Sequence, residues 1–441
     1  MKLEDHPTVQ RRQHQKQRAP VTWTKDRLRR LVLEAGADDV GFVPLQRPTL
    51  LDQRDDIRTA LAGTQTLISF VVRMNRGPIR SPMRSVANVE FHHTGDAVNE
   101  VAHRVVKQLE AEGAQALNPA MGFPMEMDRF PGKIWVVSHK PVAVEAGLGR
   151  IGVHRNVIHP RFGNFILLGT ILLDQVLDSY DHPIDYNPCL ECKLCVAACP
   201  VGAIKKDAQF DFSACYTHNY REFMSGFTDW ATQVASSRDQ ATLRERVSDQ
   251  ENASMWQSLS FGANYKAAYC LSVCPAGDEV IGPFLDDRKG FLQQVVEPLQ
   301  IKEEQVYVIP GSDAEAHVSK RFKHKSVRRV SNALRPASIA GFMRGLSLTF
   351  QRLPSQDLHA RYHFVFTGHQ PHEMTVVIEK DSLDVQQGLV GSPDLRVTAD
   401  SKTWLSFLAK ETSIARALVM RKIKLKGPAR LLVAFGKCFP A

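Results

Sequence analysis

Apolar residues before position 180 follow two patterns, one with helical spacing and one of short continuous runs. Residues 26–34 and 97–112 carry apolar side chains at helical spacing. Helices that alternate with short apolar strands predict an α/β domain built in layers. The runs that predict strands are 40–43, 66–72, 134–137 and 165–173, and the last of these also fits a buried helix.

A different pattern begins near Pro336, where alternating apolar positions replace the longer runs. Four segments predict strands and three predict amphipathic or apolar helices, which together indicate a small α+β domain. The predicted strands are 361–367, 374–379, 395–398 and 422–426, and the predicted helices are 402–410, 413–420 and 429–438.

Composition and charge divide the chain further. The 441 residues have a net charge of +9, much of it in residues 1–20 and in the basic run 320–335. Such runs are typical of solvated segments, although attraction to nucleic acid or an anionic membrane remains an alternative. We therefore predict a disordered basic tail over 1–20, an α/β domain over 21–178, a cysteine-rich domain over 179–300, a basic linker over 301–335 and an α+β domain over 336–441.

The cysteines indicate a local metal centre in a reducing compartment. Seven of the eight lie between Cys189 and Cys274, too few for a disulfide framework in so long a chain. The tail lacks the apolar core of a signal peptide, and no apolar run is long enough to span a bilayer. We therefore expect a cytoplasmic protein without an integral membrane segment.

Four cysteines, Cys189, Cys192, Cys195 and Cys199, have the spacing C-x2-C-x2-C-x3-C and are followed by proline. Three thiolates at two-residue gaps wrap one iron–sulfur cube, while the fourth is directed to another cube. Zinc sites more often contain CxxC pairs separated by a long loop, so zinc is the weaker alternative. A later C-x3-C-P at Cys270–Cys274 is half of a second cluster motif.

The segment 142–163 contains Gly147, Gly149 and Gly152. It does not fit the dinucleotide fingerprint, because no clean strand–turn–helix surrounds the glycines. A tight, close-packed turn is favoured over a ligand-binding loop.

These motifs resemble two families. EAGLGRIG, CLECKLCVAACPVGAI, DFSACYTHNY and CLSVCPAG are similar, in order, to segments of the cobalamin-dependent iron–sulfur reductases, which include epoxyqueuosine reductase and the reductive dehalogenases. GSPDLRVTADSKTWLSFLAKE and MRKIKLKGPARLLVAF resemble the sterol carrier protein 2 family, whose domains bind lipids in an apolar tunnel. The resemblance implies an α/β reductase-like domain with a ferredoxin-type two-cluster insert, followed by an α+β lipid-binding domain.

The resemblance to the reductases also implies the cluster ligands. One [4Fe-4S] cluster would take Cys189, Cys192, Cys195 and Cys274, and a second would take Cys199, Cys215 and Cys270. The family has a further cysteine three residues before Cys270, where this chain has Ala267. The second cluster is then a [3Fe-4S] form, has a non-cysteine ligand such as His218 or an exchangeable site, or is lost.

The catalytic acid departs from the family as well. The interval before AGLG contains His139 and Lys140 in place of the acidic residue that donates the proton in epoxyqueuosine reductases. Either side chain is a candidate acid, and exposure to solvent or binding of a cofactor phosphate is the alternative. In the family a corrinoid such as cobalamin lies against the glycine segment, which would make Gly147, Gly149 and Gly152 its contacts.

Together these features predict an iron–sulfur oxidoreductase that transfers electrons to a hydrophobic, steroid- or acyl-like substrate held by the C-terminal domain. The electron donor would be a protein such as ferredoxin or flavodoxin. The alternatives are a non-catalytic electron-transfer and lipid-binding module and an RNA-modifying reductase, although nucleic acid is not expected as a partner. The sequence does not specify the substrate, the donor or the oligomeric state.

Overall fold

The computed structural model describes residues 2–14, 22–130, 132–185 and 187–440. Its N-terminal domain is a four-stranded antiparallel sheet with helices on both faces. The sheet contains β1 (Asp39–Pro44), β2 (Thr66–Arg73), β3 (Ala116–Leu117) and β6 (Ile166–Leu173). The strands outside it are β4 (Arg150–Ile151) and β5 (Val157–Ile158). The helices are α1 (Pro7–His14), α2 (Lys25–Glu34), α3 (Arg54–Ala60), α4 (Arg76–Arg80), α5 (Arg84–Ala111) and α6 (His139–Glu145).

The sheet has the order β1-β2-β6-β3, while β4 and β5 form a separate hairpin. Helices α2 and α5 cover one face, and α3 and α6 cover the other. A strand that is buried on both faces is apolar at every position, which explains the continuous runs in the sequence. The strands predicted at 40–43, 66–72 and 165–173 are confirmed, and the helix at 97–112 is the second half of α5.

One prediction for this part of the chain, the strand at 134–137, is wrong. Residues 134–137 are not a strand and pair with none of the strands of the sheet. Ile134 and Val137 are buried by packing alone, which gives them the same apolar signature. In the tail, residues 7–14 form α1, which begins at a proline, a residue that suits the first helical position. Residues 15–20 of the predicted disordered tail lie outside the described residues.

The cysteine-rich domain is mostly helical. The helices are α7 (Leu194–Ala198), α8 (Phe212–Asn219), α9 (Ser225–Ala235), α10 (Gln240–Arg246), α11 (Asp249–Phe261), α12 (Tyr269–Ser272), α13 (Gly282–Asp286), α14 (Arg288–Phe291) and α15 (Glu297–Ile301), with a π-helical turn at Leu292–Val296.

The predicted basic linker at 301–335 is wrong. These residues form a β–α–β unit of β7 (Gln305–Val308), α16 (Asp313–Arg321) and β8 (Ser326–Arg329), in which the two strands pair in parallel. Val306, Val308 and Val318 are buried in the same core as the cysteine segment. The basic residues lie between these apolar positions in the sequence. The high density of charge therefore led to the prediction of a linker, although the apolar residues pack into a core.

The C-terminal domain has a five-stranded sheet in the order β11-β10-β9-β12-β13, with β9 and β12 parallel and the other pairs antiparallel. The predicted α+β class is confirmed, and β11 and α17 are additions to the prediction. The strands are β9 (His359–Thr367), β10 (His372–Glu379), β11 (Ser382–Gln387), β12 (Leu395–Asp400) and β13 (Ile423–Lys426), and the helices are α17 (Ile339–Thr349), α18 (Ser401–Leu408), α19 (Ile414–Val419) and α20 (Ala429–Cys438).

The C-terminal domain is fixed to the cysteine-rich domain by a buried polar junction. The Asp313 carboxylate accepts the backbone N–H groups of Arg352 (3.0 Å) and Leu353 (3.1 Å). The Asp313 N–H donates to Gln351 Oε1 at 2.8 Å. Helix α17 also lies against α8. Among the described residues, no helix is long and apolar enough to cross a membrane.

Candidate metal centre

Four cysteine thiols from two distant segments line one cavity of about 310 Å³, a volume that includes its open mouth. Three of them, Cys189, Cys192 and Cys195, come from the first motif, and Cys274 comes from the second. Within the described ranges, no three His, Cys, Asp or Glu side chains converge as the ligands of a single metal ion do. The other lining residues are Val153, His154, Ile158, Leu190, Lys193, Pro275 and Ala276.

The backbone of the first motif is shaped for this arrangement. Glu191 and Lys193 adopt left-handed conformations, with φ of 51° and 58°, and α7 begins directly after Lys193. Non-glycine residues in this region are strained, and such strain is concentrated at functional sites. The two turns change the chain direction between successive cysteines, so that three thiols reach one cavity.

The second motif is held in place by close backbone packing. A Cβ atom at Gly277 would lie 2.4 Å from the backbone nitrogen of Gly163, and one at Gly163 would lie 1.9 Å from the carbonyl oxygen of Ala276. Only glycine fits at both positions. This contact joins the loop after Cys274 to the glycine-rich segment, and thereby positions Cys274 opposite the first motif.

Cys199, Cys215 and Cys270 form a second group beside the first. Burial raises the pKa of the Cys215 thiol well above its ordinary value, and the neighbouring Cys199 and Cys270 raise it further. Burial and Cys199 raise the pKa of Cys270 to about 11. The backbone N–H of Ala203 donates to Cys199 Sγ at 3.3 Å, a bond that stabilises a thiolate ligand. The three thiols are thus close enough to interact electrostatically.

The position of the missing cysteine lies in the core of the domain. Ala267 is buried, and its N–H donates to Asn219 Oδ1 at 3.0 Å. His218, the histidine considered as a substitute ligand, is buried, since it is only 1% exposed. Its Nδ1 accepts the N–H of Tyr307 and its ring stacks on that tyrosine. The strongest charges around His218 are carboxylate and ammonium groups, chiefly Glu304, and not thiols.

The two candidate acids have different surroundings. His139 uses both ring nitrogens inside the protein, one with Thr170 Oγ1 (2.9 Å) and one with the carbonyl oxygen of Ala120 (3.1 Å), and burial lowers its pKa. Lys140 Nζ donates to Arg155 O (2.8 Å) and Asn156 Oδ1 (3.1 Å).

Lys140 lies near the second cysteine group. Lys140 is exposed to solvent, but the groups packed around its ammonium partly desolvate it and lower its pKa, while the charges of Cys270 and Cys215 act in the opposite direction. Of the two candidates, Lys140 is therefore the one within electrostatic reach of thiols.

The three glycines considered as corrinoid contacts are covered by the chain itself. A Cβ atom at Gly147 would lie 2.7 Å from the carbonyl oxygen of His182, and one at Gly149 would lie 2.3 Å from that of Ile158. At Gly152 the space is taken by the Ile158 side chain and the His154 ring. These positions do not fit an open face for a macrocycle, so we derive no step through a corrinoid.

Cations that the sequence did not reveal surround the thiols. Arg80 interacts with Cys274, Arg84 with Cys270, and Arg288 with Cys192. The Arg80 guanidinium lies over the rings of Phe165 and Phe291, and its Nε and Nη2 atoms are buried without a hydrogen-bond partner in the described part of the chain. A negatively charged cluster in the cavity suits these cations. The thiols and the surrounding groups therefore fit iron–sulfur ligation.

Comparison with known families agrees with this chemistry. Residues 182–205 match the 4Fe-4S binding domain, and residues 354–440 match the SCP-2 sterol transfer family. The predicted ferredoxin-type motif and sterol carrier domain are thereby confirmed. The chain thus combines an iron–sulfur domain with a sterol carrier domain.

The reductase resemblance is also confirmed. The chain is 27% identical over 188 residues to the epoxyqueuosine reductase of Cellulophaga algicola, covering 41% of this chain and 58% of that protein. It is 32% identical over 177 residues to that of Prochlorococcus marinus, covering 38% of this chain and 51% of that protein. The chain thus spans about half the length of the curated relatives it matches.

Solved structures of similar proteins include an epoxyqueuosine reductase from Bacillus subtilis, at 16% identity and a TM-score of 0.33, covering 44% of this chain and 56% of that one. A reductive dehalogenase matches at 15% identity and a TM-score of 0.40, covering 64% and 36%. A palmitated sterol carrier protein from Aedes aegypti matches at 25% identity and a TM-score of 0.16, covering 18% and 71%.

Proposed function

We propose that this protein is an iron–sulfur oxidoreductase that delivers electrons to a hydrophobic, steroid- or acyl-like substrate. The observation that carries the proposal is the cavity lined by Cys189, Cys192, Cys195 and Cys274. These residues would hold a [4Fe-4S] cluster, and the neighbouring Cys199, Cys215 and Cys270 would hold a second cluster. Such clusters supply one-electron transfer when bound.

The chain's own residues define the environment of this chemistry. Cys195, Cys199 and Cys274 are each less than 9% exposed, so the surrounding protein excludes water from these three sulfurs. The guanidinium groups of Arg80 and Arg84 offset the negative charge that electron uptake adds. Lys140 is the residue that we assign to proton delivery, because its Nζ is fixed by two acceptors near Cys215 and Cys270.

The sterol carrier domain would supply the substrate. Its helices α18–α20 and strand β13 carry apolar side chains that are only partly buried, and three others are exposed, which suits a lipophilic ligand. Helix α17 of this domain lies against α8, the helix that contains Cys215, so the domain itself is held beside the second thiol group. The partly buried residues are Leu405, Phe407, Leu408, Ile414, Leu418, Leu425, Leu431 and Leu432, and the exposed ones are Val419, Met420 and Val433.

Replacing one predicted ligand tests the metal centre. We expect Cys192→Ala to lose iron and part of the visible absorption, because the iron atom that Cys192 would bind loses its thiolate and the [4Fe-4S] form is no longer complete. Cys438→Ala is the matched control, since Cys438 is buried in the sterol carrier domain. Iron content and electron-transfer rate are measured on anaerobically reconstituted protein. Equal iron in the Cys192 variant and the wild type would refute the assignment.

A second candidate function is an RNA-modifying reductase. It is favoured by the identity to epoxyqueuosine reductases and by the net charge of +9. Phosphate contacts make affinity fall steeply as salt is added, so titration with an RNA stem-loop at several salt concentrations separates the candidates. Salt-dependent binding would favour RNA, and saturable binding of a fluorescent fatty acid without RNA binding would favour the lipophilic substrate.

A further inference from the structure

One histidine faces the four-thiol cavity and has no place in the predicted ligand sets. His154 lies in the turn between β4 and β5, where it is 4% exposed and lines the cavity with Val153 and Ile158. The cavity already contains four thiols, so His154 is not needed as a ligand. Its position in the cavity therefore indicates a role other than binding iron.

The hydrogen bonds of His154 define which ring nitrogen carries the proton. The backbone N–H of Asn156 donates to Nδ1 at 3.1 Å, so Nδ1 has no hydrogen and Nε2 is the N–H donor. Burial, together with the nearby Lys140, lowers the pKa of His154 to about 4, which agrees with a neutral ring at neutral pH. Among the described residues, no group accepts a hydrogen bond from Nε2, although the atom is buried.

The ring is confined to this position by its neighbours. A Cβ atom at Gly152 would lie 3.2 Å from Cε1 and 3.3 Å from Nε2 of His154. Contacts this short would push the ring away, so the glycine leaves the space that the ring occupies. Buried N–H groups in folded proteins are nearly always paired, which implies that the acceptor of Nε2 is a group bound in the cavity.

We propose that His154 Nε2–H donates a hydrogen bond to a sulfur atom of the cluster held by Cys189, Cys192, Cys195 and Cys274, and thereby raises its reduction potential. The inference rests on the proposed iron–sulfur function. Hydrogen bonds to sulfur are among the factors that set cluster potentials. Reduction adds negative charge, which the donor stabilises, so the bond favours the reduced state. His154 therefore favours electron uptake by the cluster without being one of its ligands.

Replacement of the ring tests the bond in the reconstituted full chain. We expect His154→Phe, which keeps a ring but removes the donor, to lower the reduced-to-oxidised ratio about tenfold at a fixed potential, equivalent to about 59 mV for one electron. His154→Gln retains an N–H group and should recover part of the shift. The measurement is a redox titration followed by electron paramagnetic resonance, using the signal that disappears in Cys192→Ala.

A second measurement separates this role from a structural one. In wild-type protein exchanged into deuterium oxide, electron–nuclear double resonance should detect an exchangeable deuteron coupled to the reduced cluster, and His154→Phe should lose it. Unchanged potential and unchanged coupling in His154→Phe would overturn the hydrogen bond. If that variant failed to assemble its cluster, a wild-type spectrum without such a deuteron would overturn the bond. Absence of any cluster signal in the wild type would overturn the proposed function itself, and the bond with it.

Discussion

At the scale of single residues, the most consequential difference from the reductase family for the second cluster is Ala267, which stands where the family has a cysteine. Ala267 is buried two positions before α12, which contains Cys270, and it is followed by Ala268 in a left-handed conformation with φ of 54°. The left-handed turn at Ala268 thus precedes α12 with an alanine, and not a thiol, on its N-terminal side. The second group therefore has three cysteines in the described structure.

The variant Ala267→Cys tests this interpretation. If the second cluster is the [3Fe-4S] alternative, the oxidised wild type gives a three-iron signal, and we expect the added thiolate to complete the ligands and abolish that signal. The measurement is electron paramagnetic resonance together with iron analysis of both proteins. A variant whose spectrum and iron content equal those of the wild type would show that residue 267 does not face the second cluster.

At the scale of elements, the β7–α16–β8 unit depends on one buried carboxylate. Glu304, directly before β7, accepts the hydroxyl of Tyr269 (2.5 Å) and the ammonium of Lys325 (2.8 Å). The Lys325 side chain is 1% exposed, so its charge has no solvent to compensate for a lost partner. These bonds fasten the unit to α12, and thus to the segment that carries Cys270.

We expect low pH to destabilise the β7–α16–β8 unit. Burial opposes ionisation of Glu304, but the bonds from Lys325 and Tyr269 outweigh it and lower the pKa below the ordinary 4.5. Its stabilising contribution is therefore complete above about 4.5 and is lost as the pH falls through the lowered pKa. We expect Glu304→Gln to cost on the order of 3 kcal/mol at neutral pH and to weaken the acid dependence.

Urea unfolding at several pH values measures this effect. The matched control is Glu303→Gln, since Glu303 is exposed on the preceding position of the same loop. Equal stabilities of the Glu303 and Glu304 variants would contradict the role assigned to the buried carboxylate.

At the scale of the whole molecule, the sterol carrier domain is docked and not tethered by an extended linker. The junction at Asp313 is 5% exposed and joins the start of α16 to residues 351–353. Docking keeps one face of the domain beside α8. The position of the sterol carrier domain relative to α8 is therefore set by this junction and not by the length of a flexible linker.

Breaking the junction should release the domain. We expect Asp313→Ala to cost about 1–3 kcal/mol, because two buried backbone N–H groups lose their acceptor, and to expose residues 330–353 to protease. The measurements are limited proteolysis and the radius of gyration from small-angle scattering. Asp357→Ala, at an exposed position of the same domain, is the control. A cleavage pattern equal to that of the control would argue against a junction that fixes the domains.

The sequence by itself determined the chemistry and the buried strands. Cysteine spacing within a single loop is a local property, and strands buried on both faces are recognisable as continuous apolar runs. Local spacing does not reveal which distant groups meet. The resemblance to the reductases implied that Cys274 joins the first motif, and the tertiary structure supplies the physical reason, since Gly163 packs against Gly277. Only the tertiary structure decided that His154 faces the same cavity. It also decided that residues 301–335 pack, since burial of Val306 and Val318 depends on a core supplied by other elements.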